Sequence, residues 1–170
     1  MNRIDILNSV LNGLMTRYKE GVPDVGGIIA AMQQEGVIQD ADDIENDHIA
    51  FRTMGVPQLG IKSFEKIFTY YGYTKRDYYN FPAKKLDAYW YAPPTEKHPR
   101  IFVSELRVQD LSRDAQEIIL SYTNEVASDP VDKLNLNNAE EVDAFLHSPL
   151  WRIPSIEDYN KLAKESEYAA

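Results

Sequence analysis

Two residues that could do chemistry, His48 and Arg52, lie four positions apart in the segment 47–53, which reads DHIAFRT. The alternation of this segment predicts a β-strand, and residues i, i+2 and i+4 of a strand share one face. An imidazole and a guanidinium cation would then point the same way, about 13 Å apart at the backbone. A metal at the histidine and an anionic tail held at the long arginine side chain would make a site for a small carboxylate substrate.

Both residues also have plain structural interpretations. A histidine in a sheet is often buried and hydrogen bonded, and from the residues alone this is the simpler interpretation of His48. Arg52 could form an ion pair with one of the acidic residues nearby in the sequence. The spacing therefore indicates a candidate site, and it does not exclude a structural role for either residue.

The elements that would position these residues form a β-α-β-β-β pattern between residues 47 and 108. Strands are expected at 47–53, 73–81, 84–91 and 100–108, with a helix at 61–71. Residues 1–46 predict two helices that cover the core, separated by Gly21-Val22-Pro23. The segment 109–170 predicts helices capped by Ser112, Asn138 and Ser155, of which the last would continue to Ala170. The sequence thus predicts a single α+β domain over residues 1–170.

Composition limits the classes of function. A chain of 170 residues fits one domain, and its net charge of −9 disfavours nucleic-acid partners, which need clustered basic residues. The absence of cysteine excludes disulfides, thiolate metal sites and cysteine nucleophiles. No signal-peptide pattern and no apolar run of about 20 residues occurs, so a cytoplasmic location without membrane contact is expected.

Three blocks of the sequence resemble a known family. They are DHIAFRT at 47–53, FEKIFTYYGYTKRDYYNFPAKKLDAYWYAPP at 64–94 and PRIFVSELRVQDLS at 99–112. Together they are similar to the family once known only as the domain of unknown function DUF1338, whose characterised members are 2-oxoadipate dioxygenase/decarboxylases. That family resembles the vicinal oxygen chelate, or glyoxalase-like, superfamily, in which paired βαβββ modules enclose a metal. The resemblance therefore implies a glyoxalase-like βαβββ module with flanking helices.

The resemblance also implies a reaction. In the family, an Fe(II)-dependent enzyme of lysine catabolism converts 2-oxoadipate and O2 to 2-hydroxyglutarate and CO2. The metal is held by two histidines and one carboxylate, which leaves positions open for a chelating 2-oxo acid and O2. The first family histidine falls on His48, and the family arginine that binds substrate falls on Arg52. These two residues are accordingly the expected substrate-binding residues, and His48 is the expected metal ligand.

The sequence departs from the family at the other ligands. The second histidine and the glutamate of the family lie in a second module, and neither His98 nor His147 matches a ligand position. The chain therefore looks like the N-terminal part of such an enzyme. Glu105 is expected to line the pocket, because several vicinal oxygen chelate enzymes bind metal through a carboxylate of this strand. The alternative is an ion pair between Glu105 and Arg107.

Three functions remain open from the sequence. The first is the iron dioxygenase/decarboxylase, completed by a C-terminal half and using a 2-oxo acid and O2. The second is a glyoxalase-like metal enzyme completed by a homodimer, in which each copy supplies His48 and Glu105. The third is a non-catalytic module that binds a carboxylate or a partner protein.

Overall fold

A four-stranded sheet forms the centre of the molecule in the computed structural model, which describes residues 2–170 apart from the side chain of Asp42. Its strands are β1 (His48–Met54), β2 (Thr74–Phe81), β3 (Leu86–Ala92) and β4 (Arg100–Leu106). Helix α3 (Ile61–Tyr70) lies between β1 and β2 in the chain. The predicted βαβββ order is confirmed.

The strand order, β1-β4-β3-β2, sets which side chains meet. β1 runs parallel to β4, whereas the β2–β3 and β3–β4 pairs are antiparallel. His48 is opposite Arg100 and Arg52 is opposite Ser104 in the β1–β4 register. Because side chains alternate across a strand, these pairs lie on one face of the sheet, and Ile49, Phe51 and their partners lie on the other.

Helices surround the sheet in the order that the sequence predicts. They are α1 (Arg3–Gly21), α2 (Pro23–Gln34), α4 (Arg113–Thr123), α5 (Ala139–His147) and α6 (Ile156–Glu165). The three predicted caps are confirmed. The Ser112 hydroxyl accepts the Ala115 N–H, the Asn138 amide oxygen accepts from residues 140 and 141, and the Ser155 hydroxyl accepts the Asp158 N–H.

The core lies on the side of the sheet that carries α3. Leu7 and Val10 of α1, Phe68 of α3 and Val103 of β4 are fully buried in one cluster, and Val142 of α5 belongs to it. A second cluster joins the ends of β3 and β4 to α4 and α6. Burial of these apolar side chains is the main contribution to the stability of the fold. It leaves the opposite face of the sheet outside the main core.

Two predictions about helices are wrong. Helix α2 was expected to cover the core, but it contains no buried residue, and the side chain of its Ile28 is 60% exposed. The last helix was expected to reach Ala170, but α6 ends at Glu165 and residues 166–170 form a turn. We call these five residues the tail. The helix stops because Tyr168 and Ala169 pack into the body of the protein instead of continuing the helical face.

Candidate functional site

The face of the sheet that points away from α3 carries both residues nominated by the sequence. His48, Ala50 and Arg52 are exposed along β1, whereas Ile49 and Phe51 between them are partly buried on the core side. Ser104 of β4, opposite Arg52, lies on the same face in the middle of the sheet but is buried. We call this side of the sheet the open face. Alternation of the strand therefore places the imidazole and the guanidinium on one side, as predicted.

His48 is held at the start of β1 by an acidic neighbour. Its Nδ1 lies 3.0 Å from Oδ2 of Asp47, and its side chain is 59% exposed. Asp47 also accepts from the Arg100 guanidinium at 3.1 Å. The hydrogen bond to His48, followed by the charge of Arg100, lowers the pKa of Asp47 below its ordinary value. In the tautomer whose Nδ1–H donates to Asp47, Nε2 keeps a free lone pair, as in many metal-binding histidines.

Arg52 has an aromatic partner and, among the side chains that the structure describes, no carboxylate partner. Its guanidinium carbon lies 5.1 Å from the ring centroid of Tyr168 in the tail. Arg52 also lines two cavities. The larger, of about 580 Å³, lies over the open face and includes Phe81, Lys84, Phe102 and Ser104; the smaller, of about 260 Å³, lies beside β1. A cation without an acidic partner at the mouth of a cavity can bind an anionic group.

Tyr168, like Arg52, lines both cavities. Its hydroxyl accepts the Thr53 N–H at 3.1 Å and lies 3.0 Å from the carbonyl oxygen of Ser104. Burial raises the pKa of Tyr168 above its ordinary value, so its phenol stays protonated and can donate to that carbonyl. Its position therefore depends on contacts with residues more than 60 positions earlier in the chain.

Glu105 does not join His48 and Arg52. In the register it is opposite Thr53, which places it on the α3 side of the sheet. Its Oε2 accepts the N–H of Ile61 at 2.7 Å, at the first residue of α3. A side-chain cap is needed there because Gly60, with a φ of +87°, offers none of its own. The expectation that Glu105 lines the pocket on the open face therefore does not fit its position.

Arg107 does not pair with Glu105 either. Its guanidinium lies 2.8 Å from Oδ1 of Asp87 and 2.6 Å from Oδ2 of Asp110. Both acids are close in sequence or register to Arg107, so the pair predicted as the alternative for Glu105 is replaced by this local network.

A complete metal site is not formed by the part of the chain that the structure describes. No group of three histidine, aspartate or glutamate side chains is close enough there to hold an ion. His98 bonds Thr95 and Asn8, and His147 bonds Asp143, so these hydrogen bonds join neither histidine to His48. An Fe(II) site of the two-histidine, one-carboxylate type needs more donors than these residues bring together, and the role of His48 as a ligand stays a prediction.

Sequence reasoning missed Ser104 and Tyr168. Only the β1–β4 register places Ser104 beside Arg52, and no local sequence pattern specifies that register. Tyr168 was assigned to the last helix, which was expected to continue to Ala170. No signal in the sequence could have paired it with Arg52, because the contact joins β1 to the tail, which are far apart in the sequence.

Comparison with known proteins identifies the family. Residues 10–170 match the model of the family described as HGLS, 2-oxoadipate dioxygenase/decarboxylase. The chloroplastic/amyloplastic 2-oxoadipate dioxygenase/decarboxylase of Oryza sativa subsp. japonica is 40% identical over an alignment of 141 residues. The match covers 77% of this chain and 37% of that protein. The chain therefore spans well under half the length of this curated relative.

Two solved structures have folds similar to that of this chain. The crystal structure of hydroxyglutarate synthase from Oryza sativa in complex with 2-oxoadipate matches with a TM-score of 0.83 at 33% identity, covering 98% of this chain and 53% of that chain. A putative glyoxalase superfamily protein from Ralstonia eutropha JMP134 matches with a TM-score of 0.57 at 20% identity, over 73% of this chain and 46% of that chain. The second likeness concerns the fold alone and, with the first, confirms the glyoxalase-like α+β class.

The comparisons do not support the expected cytoplasmic location. The rice relative is chloroplastic/amyloplastic, which gives no support to a cytoplasmic assignment. Within residues 2–170, none of the helices has the length and hydrophobicity needed to cross a membrane. The match over residues 10–170 covers most of the sequence, and the chain belongs to the 2-oxoadipate dioxygenase/decarboxylase family.

Proposed function

We propose that this chain forms the substrate-carboxylate side of an Fe(II)-dependent 2-oxoadipate dioxygenase/decarboxylase. The overall reaction is 2-oxoadipate plus O2 giving 2-hydroxyglutarate plus CO2, which balances in atoms, and its place is in lysine catabolism. The observation that carries the proposal is Arg52, a guanidinium at the junction of two cavities with no carboxylate partner among the described side chains. Family membership supplies the substrate class.

Arg52 is proposed to hold the distal carboxylate of the substrate. A guanidinium presents N–H donors in a planar fork that matches a carboxylate. The neighbouring Phe81 and Phe102 of the larger cavity can contact the methylene chain between the two ends of the substrate. The 2-oxo carboxylate end would then point along β1 toward His48, which lies on the same face.

His48 is proposed to supply one iron ligand through Nε2, with Asp47 orienting its ring. Bound Fe(II) would supply chelation of the 2-oxo acid and activation of O2. The remaining ligands are proposed to come from polypeptide other than the described residues of one copy. That polypeptide is either a second module, as the greater length of the rice proteins suggests, or a second copy of the chain.

The test of this proposal compares two ligands of equal carbon number. 2-Oxoadipate and 2-oxohexanoate differ only at the distal end, where one has a carboxylate and the other a methyl group. We expect wild-type protein to prefer 2-oxoadipate in calorimetric titrations, and Arg52→Gln to weaken 2-oxoadipate binding by about 10- to 100-fold, the effect of losing charged hydrogen bonds. Binding of 2-oxohexanoate should not change.

Arg113→Gln is the matched control, because its side chain is 91% exposed on α4 and does not line either cavity. It removes the same charge and should leave both affinities at the wild-type values. Undiminished binding of 2-oxoadipate by Arg52→Gln would rule out the proposed role of Arg52.

A further inference from the structure

We propose that Tyr168 is a positioning residue that holds the Arg52 guanidinium in place for a substrate carboxylate. This inference rests on the proposed function, in which Arg52 binds the distal carboxylate of 2-oxoadipate. It begins from the stacking of the guanidinium carbon 5.1 Å from the centre of the Tyr168 ring. That separation is within the range in which the face of an aromatic ring attracts a cation.

An aromatic ring suits this task better than an acid would. A carboxylate beside Arg52 would occupy the N–H donors that the substrate needs and would neutralise the charge that attracts it. A ring attracts the cation through its own face and carries no negative charge, so it does not take up the donors in an ion pair. With the side chains that the structure describes, Arg52 has this ring contact and no ion pair. The contact restricts the long side chain without the direct ion pair that an acid would form.

The ring is itself fixed at the strand that carries Arg52. The Tyr168 hydroxyl accepts the N–H of Thr53, the residue after Arg52. It also lies 2.9 Å from the hydroxyl of Ser104 and 3.0 Å from the carbonyl oxygen of Ser104, the register partner of Arg52. The cation and the ring are therefore attached to the same two strands, so that the distance between them is set by the sheet.

A second anchor holds the start of the tail. Glu165, the last residue of α6, accepts the N–H of Ser112 at 2.7 Å and lies 3.2 Å from the ammonium of Lys85. Ala169, beyond Tyr168, is buried. The tail is thus fastened on both sides of Tyr168, and the ring cannot leave Arg52 without breaking one of these contacts.

The experiment distinguishes positioning from simple packing. Tyr168→Leu removes the ring and keeps an apolar side chain, and Tyr159→Leu removes a tyrosine that is 48% exposed on α6 and serves as the control. The first readout is the NMR signal of the Arg52 Nε–H, assigned with Arg52→Gln, which the ring current should shift upfield. The second is the ratio of the dissociation constants for 2-oxohexanoate and 2-oxoadipate.

We expect Tyr168→Leu to move the Arg52 signal to the position of exposed arginines and to weaken 2-oxoadipate binding about three- to tenfold, with 2-oxohexanoate unchanged. Tyr159→Leu should change neither readout. A Tyr168→Leu protein that is less stable but keeps both the Arg52 signal and the ligand preference would overturn the inference, because the ring would then serve packing alone.

Two further outcomes separate the inference from the proposed function. Equal affinity of wild-type protein for both ligands would overturn the proposed function, and with it any role of Tyr168 in carboxylate binding. If Tyr168→Leu does not fold, Tyr168→Phe tests the inference instead. Without the hydrogen bonds of its hydroxyl group, the ring can move relative to Arg52. A smaller upfield shift and a weaker preference for 2-oxoadipate would support positioning, and wild-type values would contradict it.

Discussion

At the scale of single residues, strand periodicity determined which functional side chains could be placed from the sequence. The alternation of DHIAFRT was enough to predict that His48 and Arg52 share a face, because the period of a strand is fixed by backbone geometry. The structure places both on the open face. Their roles as metal ligand and carboxylate binder remain proposals. Glu105 could not be placed in the same way, because its face depends on the pairing of two strands that are 45 residues apart in the sequence.

Glu105 gives a prediction about stability at the residue scale. Its carboxylate accepts the N–H of Ile61 at the N-terminus of α3, where a negative charge also interacts favourably with the helix dipole. We expect Glu105→Gln to lower the free energy of unfolding by about 1 kcal/mol. Because the side chain lies on the core side of the sheet, the affinity for 2-oxoadipate should stay the same. Urea denaturation and calorimetric titration measure the two quantities.

The opposite result would restore the first expectation for Glu105. If Glu105→Gln kept the stability of the wild type but bound 2-oxoadipate more weakly, the carboxylate would belong to the pocket rather than to the helix end.

Helix boundaries were predicted correctly where a few consecutive residues determine them. They were missed where contacts with distant parts of the chain determine them. The caps Ser112, Asn138 and Ser155 were all recognised, since a cap is a property of three or four consecutive residues. The end of α6 was not recognised, because residues 166–170 contain neither glycine nor proline. Their turn is stabilised by contacts of Tyr168 with Thr53 and Ser104, which a local pattern does not contain.

The junction between α3 and the loop after α4 gives a prediction about pH. The Asp129 carboxylate lies 2.6 Å from the Ser63 hydroxyl and 2.8 Å from the Lys66 ammonium, and it also accepts the Val131 N–H. Burial raises the pKa of Asp129, but these hydrogen bonds outweigh burial, and the pKa lies below its ordinary value. The folded state therefore gains stability above the unfolded pKa of about 4, and loses it as the pH falls through the folded value.

We expect Asp129→Asn to lower the free energy of unfolding by about 1 to 2 kcal/mol at neutral pH. The difference from wild type should shrink as the pH falls from about 4 through the lower folded pKa, because the wild-type carboxylate becomes protonated over this range. Urea denaturation at neutral and acidic pH measures this. Asp132→Asn is the control, since Asp132 binds the same lysine but its side chain is 62% exposed, where an ion pair contributes little. A difference that is constant with pH would refute the assignment.

At the scale of the whole molecule, the sheet is covered unequally. One face packs against α1, α3 and α5, while the open face carries exposed His48, Ala50 and Arg52 and is crossed by the tail at Tyr168. The element order of the module was predictable from periodicity. The parallel pairing of β1 with β4 was not, because it joins segments separated by a helix and two strands. The position of the site on the open face follows from that pairing.

The lack of a three-ligand group among the described residues leads to a prediction about turnover. One imidazole cannot retain Fe(II) firmly, and no three-ligand group is formed by the described residues of one copy. We therefore expect the 170-residue chain, loaded anaerobically with Fe(II), to show no O2 uptake that depends on 2-oxoadipate. Addition of the part of the rice relative that this chain does not match should restore uptake, together with formation of 2-hydroxyglutarate.

His48→Ala is the control for that restored activity, because it removes the proposed iron ligand of this chain while leaving Arg52 in place. Restored uptake should be lost in this variant, whereas binding of the distal carboxylate at Arg52 should persist. Uptake by the 170-residue chain alone would contradict the prediction, and its dependence on protein concentration would then identify the source of the other ligands. Activity that rises with dimer formation in sedimentation experiments would assign them to a second copy, so that two open faces would enclose the metal between them.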